Sequence, residues 1–113
     1  MSWEVLLLEE AEHWYLSLDA NTTAAVAGAI DLLEQVGPTL GRPTVDRVSQ
    51  SKFHNMKELR PAATSVRILF VFDPRRQAIL LLGGDKAGNW KDWYDKNIPV
   101  AEQRYENWLT GGR

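Results

Sequence analysis

No cysteine occurs anywhere in the 113 residues, so disulfides, thiolate nucleophiles and Cys-ligated metals are all excluded and the fold must hold by packing. Histidine is nearly as scarce. His13 and His54 stand 41 positions apart with no His-x-x-x-His pair, and neither a metal nor any other cofactor is expected. No apolar run approaches a membrane span, since Val5-Leu6-Leu7-Leu8 stops at the acids Glu9-Glu10. Met1-Ser2-Trp3-Glu4 lacks the basic start of a signal peptide, so a cytoplasmic chain without membrane contact is expected. A glycine-rich phosphate loop with its Lys-Ser/Thr is missing too, and so is a Gly-x-Ser-x-Gly nucleophile elbow.

Positive charge is absent from the first third. Residues 1 to 41 hold seven acidic side chains and no Lys or Arg, whereas residues 42 to 86 hold nine basic and four acidic ones. That stretch nets +5 within a chain of formal net charge -2. Local potential steers a ligand, so a polyanion-binding surface fits the second stretch; scattered Lys and Arg that merely solvate the chain fit it as well.

What is present suits an ordinary globular domain: 44% of residues are hydrophobic, 25% are charged, and five Trp can each bury a large apolar surface. At this length one core suffices, so residues 1–113 are read as a single domain. Trp3 to Leu8 reads as a strand. Ala11, Trp14, Tyr15 and Leu18 recur at helical spacing over Glu9 to Leu18. After a turn, a second helix capped by Asn21 or Thr22 carries Val26, Ile30 and Leu33 towards Gly37-Pro38. Leu40 to Ser51 reads as a loop with a short extended piece around Thr44 to Val48.

Phe53 to Arg60 alternates as a strand, with Phe53, Asn55, Lys57 and Leu59 on one face and His54, Met56, Glu58 and Arg60 on the other. Val66 to Phe72 is the clearest strand, nearly continuous in apolar residues and therefore central. Asp73-Pro74-Arg75-Arg76 turns the chain into Gln77 to Leu82, a hairpin that ends at Gly83-Gly84. Asp85 to Asn97 reads as a polar loop or irregular helix. Pro99 opens a final helix with Ala101, Tyr105 and Trp108 on one face, and Gly111-Gly112-Arg113 reads as a flexible end. The expected architecture is α+β: an N-terminal strand and an αα-hairpin packed on a twisted antiparallel sheet of three to five strands, with a C-terminal helix.

With nucleophile and metal motifs gone, basic chemistry remains. Lys52, His54, Lys57, Arg60, Arg67, Arg75, Arg76 and Lys86 fall on or beside adjacent expected strands, so several can converge on one face or edge. Arg67 interrupts an apolar strand where packing alone would favour Val or Leu. Either it pairs with Glu58 or Asp73 across the strands, or it joins Arg60 in gripping a phosphate. Arg60, just before Pro61, and Lys86, just after Gly83-Gly84-Asp85, are open to the same two readings, solvated or functional. Trp90, Trp93 and Tyr94 are either core residues or a surface on which an unstacked base lies.

The strings Met56-Lys57-Glu58-Leu59-Arg60, Val66-Arg67-Ile68-Leu69-Phe70-Val71-Phe72 and Leu81-Leu82-Gly83-Gly84-Asp85-Lys86, in this order and spacing, resemble the RelE/HigB toxins. Their phage-derived HigB-like branch is the nearest match. The likeness takes in the helix pair and Ile98-Pro99-Val100-Ala101, and so spans nearly the whole chain. It implies a RelE-like fold and a toxin of a type II toxin-antitoxin operon, held inactive by a cognate antitoxin protein. Many members are endoribonucleases (mRNA interferases) that cut mRNA on the ribosome, inhibiting translation and arresting growth.

Residue by residue, the resemblance puts the Glu-Leu-Arg arginine on Arg60, the strand arginine on Arg67 and the post-hairpin lysine on Lys86. Lys57 and His54 are further carry-overs, and Tyr94 stands in for a C-terminal aromatic acid or base. RNA contacts are expected from Lys52, Arg75, Arg76 and Trp90. Relatives with two or more lysines after the hairpin differ from this chain, where Lys86 is followed by Ala87-Gly88-Asn89-Trp90. The expected reaction is attack of an RNA 2′-hydroxyl on its own 3′-phosphate, needing no metal. Arg60, Arg67 and Lys86 would stabilise the phosphorane, with a proton acceptor and donor among His54, Lys57, Asp85 and Tyr94. Two alternatives keep the fold: a ParE-like toxin that binds gyrase, and a non-catalytic module whose basic residues pair with an acidic partner.

Overall fold

The computed structural model describes residues 2–111. Strand β1 (Glu4–Leu7) leads into helix α1 (Glu9–Leu16) and helix α2 (Ala20–Val36), which ends in a single 3-10 turn at Gly37–Thr39. Then come β2 (Val45–Arg47), β3 (Met56–Leu59), β4 (Val66–Asp73), β5 (Gln77–Asp85) and helix α3 (Trp90–Leu109). The strands form one sheet in the order β1-β5-β4-β3-β2. Strands β2 to β5 pair antiparallel with their neighbours, and β1 lies parallel along β5. A parallel pair needs a long crossover, which α1, α2 and the β2–β4 strands supply.

Period-two alternation splits the strands between two cores. Leu59, Ile68, Phe70 and Leu80 meet Val26 and Leu33 of α2 on one face. Met56, Leu69, Val71, Ile79 and Leu81 meet Ile98, Ala101 and Tyr105 of α3 on the other. β4 is thus covered on both sides, as its nearly unbroken apolar run requires. Each such Leu, Ile or Phe contributes about 1.5–3 kcal/mol on burial. Among the described residues no helix is long and apolar enough to cross a membrane.

Three local expectations are corrected. The cap of α2 is Asp19, whose carboxylate accepts the Thr22 N–H at 2.7 Å. The helix starts at Ala20, so Asn21 and Thr22 already lie in its first turn, two and three residues past the cap position. β3 begins at Met56, because residues 53–55 turn towards α3. Phe53 packs edge-on against Tyr105 at 4.9 Å, and Asn55 donates to the Tyr105 hydroxyl at 3.2 Å. Finally, α3 starts at Trp90, with the Asn89 side chain capping the Asp92 N–H at 3.1 Å, and it runs through Pro99. Pro99 lies on the exposed side, so its missing N–H strips no buried partner. Of the expected flexible end, Gly112 and Arg113 lie outside the described residues.

Candidate active site

Alternation along β3 sends Met56 and Glu58 to the α3 face and Lys57 and Leu59 to the other. A carboxylate on a buried face must find donors. Glu58, only 4% exposed, finds three. Its Oε1 accepts the Tyr94 hydroxyl at 2.5 Å, and its Oε2 accepts Arg60 Nε at 2.9 Å and ion-pairs with Nη2 at 2.8 Å. Asp46 faces Glu58 directly across β2–β3, and two carboxylates in that register repel. Arg60 lies between them, its Nη2 also 3.5 Å from Asp46 Oδ2, while Arg42 reaches the same oxygen at 2.9 Å. Arg42 and the other donors hold the Asp46 carboxyl below the usual range.

Arg67 projects from β4 opposite Gly84. Its Nη1 donates to the carbonyls of Val66 at 2.7 Å and Thr64 at 3.3 Å, and its buried Nε has no hydrogen-bond partner among the described residues. The expected cross-strand ion pairs are not formed. Glu58 is taken by Arg60, and Asp73 accepts the Arg75 amide at 2.7 Å and the Trp108 indole at 3.3 Å. The guanidinium acts electrostatically on Tyr94 and Asp85 instead. Burial first, and then the bond to Glu58, push the Tyr94 phenol up to about 12, against a partial opposing effect of Arg67 and Arg60. The Asp85 carboxyl is held low by the Ser65 hydroxyl at 2.5 Å and the Ala87 N–H at 2.9 Å, with Arg67 and Lys86 helping.

Between β2, the end of β3 and the start of α3 opens a cleft of about 270 Å³. Asp46, Arg47, Glu58, Arg60, Lys86, Trp90 and Tyr94 line it. Lys86 is fixed at the backbone, its N–H donating to the Ser65 carbonyl at 3.1 Å. Trp90 stands at the mouth, 57% exposed and edge-on to Tyr94 at 6.3 Å. Among the described residues no group of three or more His, Asp or Glu is placed to hold a metal ion.

Arg60, Lys86, Tyr94 and Trp90 are therefore brought together, with Arg67 beside them. Five other expected residues are not. Lys57 lies in a separate groove on the opposite side of β3, with Thr39, Leu40 and Arg42. His54 is exposed in the turn before β3. Lys52 is engaged with α3, its ammonium 3.0 Å from Glu106 and its N–H 2.8 Å from Glu102. Arg75 and Arg76 occupy the β4–β5 turn, at the far end of the hairpin from the Arg67–Gly84 pair. That is about 20 Å away at 3.3 Å per residue. Arg76 lies over the Trp3 ring at 4.8 Å.

Glu58 and Asp46 are the site members that the reading of cations overlooked. A signal existed. Glu58 shares its strand face with Met56, and an acid on an apolar face implies a dedicated partner.

Residues 13–106 match the family of phage-derived Gp49-like proteins. The chain is 70% identical over 106 residues to the candidate toxin HigB3 of Mycobacterium tuberculosis, covering 94% of this chain and 93% of that one. It is 48% identical over 106 residues to the candidate toxin HigB2 of the same organism, covering 91% of this chain and 53% of HigB2, about half of that relative's length. Among solved structures it resembles a mutant of the Escherichia coli RelE toxin in the free state, with a TM-score of 0.64 at 8% identity over 88% of this chain and 97% of that one. It also resembles the archaeal RelE–RelB complex from Pyrococcus horikoshii, with a TM-score of 0.62 at 12% identity over 78% and 99%. At these identities the structural likeness is one of fold.

Proposed function

The chain belongs to the phage-derived Gp49-like family, within the RelE/HigB superfamily of toxins, and on that premise we propose that it is the toxin of a type II toxin-antitoxin pair and cuts mRNA on the ribosome. One observation carries the reading: an open cleft gathers Arg60, Lys86, Tyr94 and an exposed Trp90 around a buried carboxylate, with Arg67 acting electrostatically on Tyr94.

Cations clustered beside an exposed indole suit a single-stranded nucleic acid. The ammonium and guanidinium groups meet a phosphate, and the indole offers a stacking plane for an unpaired base. The chemistry is transesterification. The 2′-oxygen forms a bond to phosphorus, the bond to the 5′-oxygen breaks, and the products end in a 2′,3′-cyclic phosphate and a 5′-hydroxyl. Lys86 and Arg67 offset the charge that develops on the phosphorane oxygens, the kind of contribution worth about 10²–10³ in rate per donor. The 2′-hydroxyl requirement restricts cutting to RNA. Few groups line the cleft, so alignment of the message by the ribosome supplies the remaining rate. The RelE–RelB complex among the structural relatives supports a cognate antitoxin as partner.

Induction of the chain in bacteria, with mapping of mRNA 5′ ends, tests this. Growth arrest with new 5′-hydroxyl ends inside translated messages is the expected result. Arrest with intact messages and failing gyrase supercoiling would replace it with the ParE-like reading, and unimpeded growth would leave a binding module.

A further inference from the structure

We propose that Glu58 and Tyr94 work as one acid–base unit in this cleft, Glu58 taking the proton of the attacking 2′-hydroxyl and Tyr94 giving one to the departing 5′-oxygen, with Arg60 as the positioning residue that holds Glu58. The inference rests on the RNA-cleavage reading above and deepens it.

A carboxylate offers about four lone-pair sites. Among the described residues Glu58 accepts one hydrogen bond from Tyr94 and one from Arg60, which also ion-pairs with it, so acceptor capacity remains for an incoming hydroxyl at the cleft it lines. The Tyr94 oxygen stands 2.5 Å from Oε1, close enough for a proton to pass between the two groups without rearrangement. Burial and the bond to Glu58 keep the phenol protonated far above neutral pH, so Tyr94 is suited to donate rather than accept.

Competing acceptors are badly placed or already engaged. Lys57 lies on the other side of β3, His54 lies outside the cleft, and Asp85 is committed to Ser65 and Ala87. Asp46 is engaged by Arg42 at 2.9 Å and by Arg60 at 3.5 Å, and the Arg42 bond holds its carboxyl below the usual range.

The step balances. As the bond from O2′ to phosphorus forms, the 2′-proton moves to Glu58. As the bond from phosphorus to O5′ breaks, the Tyr94 proton moves to O5′. The proton on Glu58 then crosses to the Tyr94 oxygen, and both groups return to their starting state. Arg60, fastened to Glu58 and shared with Asp46, orients the base, its guanidinium engaged by the two carboxylates rather than by the phosphate.

Single-turnover cleavage of a defined message on ribosomes decides this. E58Q and Y94F are each expected to lose on the order of 10²–10⁴ in rate. The double variant should lose no more than the worse single, because the two act together. Glutamine keeps the shape of the side chain but loses the ion pair to Arg60, so the pH–rate profile separates the roles: loss of the base removes the acidic limb of the profile, whereas a purely structural loss lowers the rate equally at every pH. R60A should displace the pH–rate profile, and R60K should restore part of the rate. A folded E58Q that cuts at the wild-type rate overturns the proposal. Should E58Q not fold, a Y94F protein cutting at the wild-type rate, or an additive loss in Y94F/R60A, overturns it instead. Failure of the wild-type chain itself to cut would be a separate outcome, bringing down the nuclease reading on which the proposal depends.

Discussion

Trp93 stands directly on Gly84: a Cβ there would lie 2.7 Å from the indole Nε1 and 3.0 Å from Cζ2. Gly84 pairs with Arg67 across β4–β5, and Trp93 packs edge-on against Tyr94 at 5.2 Å. The missing side chain thus lets the first turns of α3 settle onto the hairpin beside Arg67, bringing Tyr94 within reach of Glu58. Gly83 is filled in the same way from the other face, by Trp14.

Gly84→Ala should therefore act on stability and on the proposed site together. Overpacking of this kind costs about 1–3 kcal/mol. A urea titration should register that loss as a lower midpoint at unchanged slope. RNA cleavage should fall further than the destabilisation accounts for, since Trp93 carries Tyr94 with it.

Titration of Tyr94 has a definite sign. Its neutral form is favoured in the folded chain, raising the phenol from 10 to about 12. The associated stability is complete below pH 10 and drains away as pH rises from there to about 12. The difference in phenolate ultraviolet absorbance between the wild type and Tyr94→Phe should show one step near the upper value. Glu58→Gln should bring that step down only part of the way, because burial, the larger cause, persists.

Asp85 ties the segment before β4 to the segment after β5 through Ser65 and Ala87, and Lys86 hangs from that tie. Asp85→Ala should leave the core intact and displace the ammonium. A misplacement of about 1 Å can cost up to about 10²-fold in rate. Lys86→Ala, which removes the charge outright, should lose about 10²–10³. Equal cleavage by Lys86→Ala and the wild type would remove Lys86 from the proposed machinery.

Asp19 offers a contrast, since it caps α2 and is not among the residues that line the cleft. The N–H of Thr22 and the Thr22 hydroxyl hold its carboxyl below the usual 3.8, so its share of stability is present above that value and is lost as pH falls through the lowered one. Asp19→Ala should lower the thermal midpoint and leave cleavage unchanged, whereas Asp19→Asn, also a capping residue, should retain most of the midpoint at neutral pH.

Several elements were legible because their signal is local. Val66 to Phe72 announces a strand covered on both faces, and Val26, Ile30 and Leu33 announce α2, since period and apolarity can be read within one segment. The first half of α3 was not legible. Its residues 90–97 mix three aromatics with Asp, Lys and Asn, and Pro99 imitates a helix start. What makes the segment helical is the Asn89 cap and the burial of Trp93 against Gly84. Arg60, Lys86 and Tyr94 were legible as candidate site residues only as types. Lys57 alternates away from the cleft, and Lys52 is engaged by acids of a helix 54 positions on.

Composition and periodicity alone determined an α+β chain with a doubly covered central strand and a basic middle, because alternation and helical period act between near neighbours. The tertiary structure alone decided that β1 runs parallel beside β5 and that Glu58 lines the cleft bonded to Tyr94. Glu58 and Tyr94 are separated by 36 residues, and a contact over that distance exists only once two cores have closed on the sheet and excluded the water that would otherwise satisfy both groups.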